Sequence, residues 1–125
     1  MKNLLLLFTL VFTEITVIAQ NRIESFNYKR GLECIQNKKM DEALEYFNKD
    51  LQENPQNGYS YSWIATIYND NEEYGKALNA SNMAVKYIPK KDFEYVEFAY
   101  TVRGQIYLNL KDTVKAINDY SAAIV

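Results

Sequence analysis

The sequence predicts an all-α fold in which one pair of helices is repeated about three times. Two observations lead there. DEALEYFNKDLQENP, residues 41–55, has the apolar spacing of an amphipathic helix and stops at a proline, and thirty-four residues later GKALNASNMAVKYIP, residues 75–89, repeats the pattern. The same interval separates Ala43 from Ala77, Leu44 from Leu78, Lys38 from Glu72 and Pro55 from Pro89. A third copy follows at an interval of 39, with Ala116-Ile117 answering Ala77-Leu78, Tyr107 answering Tyr68 and Gly104 answering Ala65. A fixed period of this length marks stacked supersecondary units, none of which can bury its apolar face alone.

Helices are expected near 22–37, 41–54, 58–71, 75–88, 92–109 and 113–125. A turn around Lys38 separates the first two. Asp41 and Glu42 open the second, where the macrodipole favours negative charge. Pro55 closes it, because proline lacks the N–H and disfavours helix in the residue before it. The third and fourth repeat this arrangement, with Glu72 and Glu73 at the turn and Pro89 at the stop. Five extra residues precede the third unit's small residue, in KKDFEYVEFAYTVRG, and Phe93, Val96 and Tyr100 keep helical spacing there. The fifth helix should therefore start a turn early. The sixth leaves Val114, Ile117, Ala122 and Val125 without the polar cap that a solenoid end needs. The sequence thus reads as the N-terminal part of a longer protein, with an uncapped last helix able to self-associate.

Each unit carries small and large residues in fixed places. Gly31, Cys34, Ala43, Phe47 and Pro55 fill them in the first, and Ala65, Tyr68, Ala77, Ser81 and Pro89 in the second. The third has Gly104, Tyr107, Ala116 and Tyr120. The small residues let paired helices approach closely, and the aromatic ones fill the gaps beside them. This plan resembles the tetratricopeptide repeat over about residues 24–125, with units near 24–57, 58–91 and 92–125, the last incomplete. The resemblance implies a right-handed α-solenoid. Three residues depart from the family pattern: Cys34 replaces a tyrosine, Ser81 an aromatic residue, and Asp50 a small apolar residue that Ala84 and Ala123 retain. The first unit is therefore expected to be the looser one.

Residues 1–19 form a separate segment ahead of the repeat domain at 20–125. Lys2, the apolar run Leu4–Phe12, and Val17 and Ala19 before Gln20 have the layout of a secretory signal peptide, with Glu14 as a blemish. The alternative is an uncleaved anchor, for which the stretch falls short of the ~20 apolar residues that span a bilayer. Export to the periplasm or cell envelope is expected. The membrane is a partner only through this segment, if it is uncleaved.

Composition narrows the chemistry. Lys and Arg number 14 against 16 Asp and Glu, interspersed, for a net charge of −2. No basic face is available for phosphates, so nucleic acid is not an expected partner. The chain has no His, which removes the imidazole base of most hydrolase triads and the imidazole ligand of most zinc sites. There is no Gly-rich phosphate loop, and the acidic pairs Asp41/Glu42 and Glu72/Glu73 read as solvated helix starts. No catalytic residue, metal or cofactor is expected. Cys34, the one cysteine, reads either as a reactive thiol or as a small buried hydrophobe at a core site; no neighbouring cation in sequence favours the former.

The resemblance also implies a binding face, since in the family the first helix of each unit lines the inner curve of the solenoid. On this chain that face comprises Ser25, Tyr28, Leu32, Ile35 and Gln36 in the first unit, and Tyr59, Ser62, Thr66, Asn69 and Asp70 in the second. The third supplies Phe98, Thr101, Gln105, Leu108 and Asn109. Some family members grip chaperone C-terminal carboxylates with Lys, Asn and Arg on this face; here those sites hold Tyr28, Leu32, Trp63, Phe98 and Val102, so that clamp is missing. Neutral aromatic and amide groups suit an extended peptide main chain. Arg30 and Arg103, where the family has Leu, are expected either to answer Glu33 and Glu97 locally or to reach along the groove edge to meet carboxylates. The implied function is a non-enzymatic scaffold that binds a partner peptide or protein. The alternative is a sensory segment of a longer signalling protein, such as a sensor histidine kinase.

Overall fold

The computed structural model describes residues 25–125, so the segment read as a signal peptide lies outside the described residues. Six helices follow one another: α1 (Phe26–Gln36), α2 (Met40–Glu53), α3 (Gly58–Asp70), α4 (Tyr74–Tyr87), α5 (Phe93–Asn109) and α6 (Thr113–Ile124). No strand occurs among the described residues. From α2 onward every helix end lies within one residue of the expectation, and α5 is the longest, as the extra residues before Gly104 required.

The turn inside each unit is the same object three times. Lys38, Glu72 and Lys111 take the left-handed conformation, with φ of 58°, 62° and 62°. The next amide in each case donates back to the carbonyl five residues earlier: Lys39 to Cys34, Glu73 to Tyr68 and Asp112 to Tyr107, all at 2.8 Å. This six-to-one bond satisfies a carbonyl that the helix end would leave without a partner. A side chain in this conformation costs about 1–2 kcal/mol, so three non-glycine residues there show how firmly the paired helices impose the turn. Between units the chain stops differently. Ile88 is extended (ψ 126°), as a residue before proline must be.

Successive helices pack on one another, and the first helices of the units, α1, α3 and α5, also meet: Tyr28 reaches Tyr59, and Tyr59 reaches Tyr95. Ala43, Ala77 and Ala116 are completely buried where the helices of a pair converge. A β-carbon on Gly31 would lie 2.5 Å from the Phe47 ring, and one on Gly104 2.9 Å from the Tyr120 ring. The equivalent positions of the middle unit hold Ala65 and Ser81, both buried, so one side gains a methyl group where the other loses a ring. Tyr68 and Tyr107 are half-buried, and Lys76 and Lys115 lie over their rings at 5.3 and 5.4 Å. Pro89 is half-buried and Pro55 exposed. Cys34 is buried, which fits the core reading of the thiol.

One expectation fails, and the two alternatives for the arginines divide between them. The first unit is not loose at Asp50: the side chain is completely buried and accepts four hydrogen bonds, so a polar network replaces the small apolar contact. Arg103 ignores Glu97. Its guanidinium donates to Asp119 on α6 at 2.7 and 2.8 Å and to Asn82 on α4 at 3.1 Å, and the bonds to Asp119 raise its pKa. A half-buried guanidinium gains more from a carboxylate sharing its burial than from an exposed neighbour on its own helix. Arg30, which is exposed, does pair locally with Glu33 at 2.5 Å.

Candidate binding face

The N-terminal ends of α1 and α3 are fixed by one carboxylate. Asp50, near the end of α2, accepts from the hydroxyl of Ser25 and from Asn54 Nδ2 (3.1 Å) on one oxygen, and from Asn57 Nδ2 (2.7 Å) and Ser60 Oγ (2.5 Å) on the other. Ser25 and Asn57 are the N-caps of α1 and α3, accepting from the amides of Tyr28 and Tyr59 at 3.1 Å each. The register of two inner-face helices thus depends on a residue of the outer helix between them.

Above this network the inner face is closed. Tyr95, on the extra turn of α5, stands edge-on to Tyr59 with ring centres 4.5 Å apart. Tyr59 in turn touches Tyr28 at 6.3 Å, and Tyr28 touches Phe47 at 5.8 Å. The hydroxyl of Tyr59 donates to Asp92 at the start of α5. Three residues expected on the binding face are consequently not surface: Tyr28, Tyr59 and Ser62 are buried, and the Ser62 hydroxyl returns to the Gly58 carbonyl at 3.2 Å. The extra turn covers the groove that a standard unit length would leave open. In the middle of the face Trp63 stacks on Phe47 (6.4 Å, 7°) and meets Phe98 at 5.2 Å. Trp63 was expected on this face only as a site where the carboxylate clamp is missing, and Tyr95 was not expected there; the five-residue excess before Gly104 was the signal that could have placed Tyr95 here.

The C-terminal ends of the same helices stay open. Gln36, Thr101, Gln105, Leu108 and Asn109 are exposed, while Leu32, Thr66, Asn69 and Phe98 are half-buried beside them. Asn109 Nδ2 donates to Asn69 Oδ1 at 2.9 Å, linking α5 to α3 across the face. Gln105 accepts from the Tyr120 hydroxyl at 3.3 Å. This bond uses the oxygen of Asn69 and the nitrogen of Asn109, so the pair keeps a donor on Asn69 and an acceptor on Asn109.

The closed end yields a pH prediction. The Tyr28 hydroxyl is buried without a hydrogen-bond partner, and burial lifts the phenol well above its usual range. The folded chain keeps this proton where the unfolded chain loses it, so stability should fall as pH rises past about 10, by up to ~1.4 kcal/mol per pH unit. Tyr28→Phe should remove this contribution and leave neutral-pH stability unchanged or raised by up to ~1 kcal/mol. Urea denaturation of both proteins at pH 8 and pH 11 checks it; a loss above ~1 kcal/mol in the variant at pH 8 would show that the hydroxyl is bonded.

Residues 24–57 and 99–124 match the tetratricopeptide repeat family model. These are the stretches in which a glycine meets an aromatic ring, Gly31 with Phe47 and Gly104 with Tyr120. A TPR repeat-containing protein of Methanocaldococcus jannaschii is 33% identical over 111 residues, which is 89% of this chain and 18% of the relative. The chain therefore spans less than a fifth of that protein's length. The repeated turn, the glycine-to-ring contacts, the stacked helix pairs and both matches agree that residues 24–57 and 99–124 are tetratricopeptide repeats.

Proposed function

We propose that the chain is a non-enzymatic binding module of the cell envelope, holding an extended segment of a partner protein along the open half of its inner face. Tetratricopeptide repeats generally mediate protein–protein interaction, and the matched repeats make this the baseline. The observation that carries the finer reading is the Asn69–Asn109 pair, whose remaining donor and acceptor match the C=O and N–H of a peptide main chain. Thr101 and Gln105 extend this polar strip along α5, and half-buried Phe98 and Leu32 offer apolar contact beside it. The layout of Lys2, Leu4–Phe12, Val17 and Ala19 supports export. Among the described residues no group of three His, Cys, Asp or Glu is placed to hold a metal ion, and no helix is long and apolar enough to cross a membrane.

The test is capture of partners from an envelope extract of the source organism. Thr101→Arg with Gln105→Arg places two bulky cations on the strip and should abolish capture, because steric and charge mismatch at an interface costs several kcal/mol. Lys49→Ala with Lys86→Ala, exposed on α2 and α4, should leave it intact. Capture that survives the arginines and fails with the alanines would place the partner on the outer helices.

A further inference from the structure

α2 and α4 both pack on α3 but not closely on each other, and an open groove of about 470 Å³ lies between them. Its apolar floor is built from Tyr61 of α3, Leu51 of α2 and Met83 of α4. Tyr61 is fixed there, since its hydroxyl donates to the Pro55 carbonyl at 3.1 Å and its ring stacks on Tyr87. Three amide side chains line the same groove: Asn48 from α2, and Asn79 and Asn82 from α4. All three are exposed. Asn48 and Asn82 are 34 residues apart, so the repeat sets one register position of successive units on the two walls. None of the described residues lining the groove is charged. Among the described residues Asn48 and Asn79 have no hydrogen-bond partner, and Asn82 uses only its oxygen, which accepts from Arg103 at 3.1 Å.

We infer that this groove binds a neutral sugar of one or two rings. The donors and acceptors decide the class. Each free Asn side chain presents two N–H donors and a carbonyl acceptor in one plane, and adjacent ring hydroxyls answer that fork because each can both donate and accept. An anion would find no free cation, since Arg103 beside the groove is already held by Asp119 at 2.7 and 2.8 Å. A cation would find no carboxylate in the lining. A wholly apolar ligand would strip water from three amides without replacing their hydrogen bonds. A peptide main chain is a ribbon whose polar groups leave from two edges, whereas here amides on both walls surround an apolar floor. A sugar ring has the matching layout, with hydroxyls around its perimeter and C–H groups on its face to pack on Tyr61, Leu51 and Met83. The volume falls within the roughly 300–1,000 Å³ of small-molecule sites. The groove is separate from the inner face, and its assignment does not rest on the partner proposed there.

Cellobiose and N,N′-diacetylchitobiose serve as probes, with acetyl-triglycine amide as the competing neutral peptide. In NMR titrations of the chain, at least one of the two sugars should saturably shift the side-chain amide signals of Asn48, Asn79 and Asn82, with a Kd between about 0.1 and 10 mM. Asn48→Ala with Asn79→Ala should raise that Kd about tenfold or more. Both side chains are exposed, so circular dichroism should show unchanged helicity. Lys49→Ala with Lys86→Ala should leave the Kd as it is. A tetrasaccharide of the bound sugar identifies the source: tighter binding than the disaccharide assigns the groove to a glycan chain, and equal binding to a free sugar or a chain end, and either supports the inference. Three results would overturn it: no saturable shift with either sugar up to about 50 mM, a Kd indifferent to the two alanines, or tighter binding of the peptide than of both sugars.

Discussion

Asp50→Ala is expected to be the most damaging single truncation in the protein, lowering stability by ~3 kcal/mol or more. Deleting the carboxylate removes four hydrogen bonds at once and leaves the side-chain donors of Ser60 and Asn57, both buried, without an acceptor. Hydrogen bonds to a charged group contribute about 1.5–3 kcal/mol, and each buried donor left unsatisfied costs ~1–3 kcal/mol. The loss also spreads, because Ser25 and Asn57 cap α1 and α3 from positions that Asp50 fixes. Asp50→Asn separates charge from shape. It keeps one acceptor oxygen but turns an amide toward existing donors, and should fall between wild type and Asp50→Ala. Urea denaturation followed by circular dichroism measures both, and a loss under ~1 kcal/mol for Asp50→Ala would mean that water replaces the network.

Two glycines of the middle unit should respond with opposite signs. A β-carbon on Gly58 would sit 2.6 Å from the backbone nitrogen of Ile88 and 2.7 Å from its side chain. Backbone cannot swing aside as a side chain can, so Gly58→Ala must push the start of α3 away from the end of α4, at a cost of about 2–3 kcal/mol. Gly75, on the exposed first turn of α4, has nothing within 4 Å of that position. Gly75→Ala only narrows the freedom of the unfolded chain and should stabilise by ~0.5 kcal/mol. The same denaturation experiment reads both, and equal effects would mean that close helix approach is not what selects glycine at position 58.

Periodic features were legible in the sequence because the repeat states them more than once. Pro55 and Pro89 marked the ends of α2 and α4, and the 34-residue interval placed Ala43 and Ala77 in the core. What was not legible occurs once. Asp50 read as a defect because its acceptance of Ser25, Asn54, Asn57 and Ser60 depends on three helices meeting, which no spacing rule encodes. Tyr28, Tyr59 and Ser62 read as groove residues by position, but position describes a unit of standard length. The excess before Gly104 brings Tyr95 over Tyr59, and burial follows from that tertiary contact. Arg103 likewise chose Asp119 on the next helix, a partner sixteen residues away. Of the residues named for the candidate face on α1, α3 and α5, Tyr28, Tyr59 and Ser62, toward the N-terminal ends, are thus withdrawn from the surface.

The central claim is that the partner lies on the open, C-terminal half of that face. Amide hydrogen exchange of the chain, alone and with a partner captured from envelope extract, tests it most directly. Exchange should slow on binding at the ends of α1, α3 and α5, around Gln36, Asn69 and Gln105 to Asn109, with α2 and α4 unchanged. Slowed exchange confined to α2 and α4, with the inner helices unchanged, would contradict it.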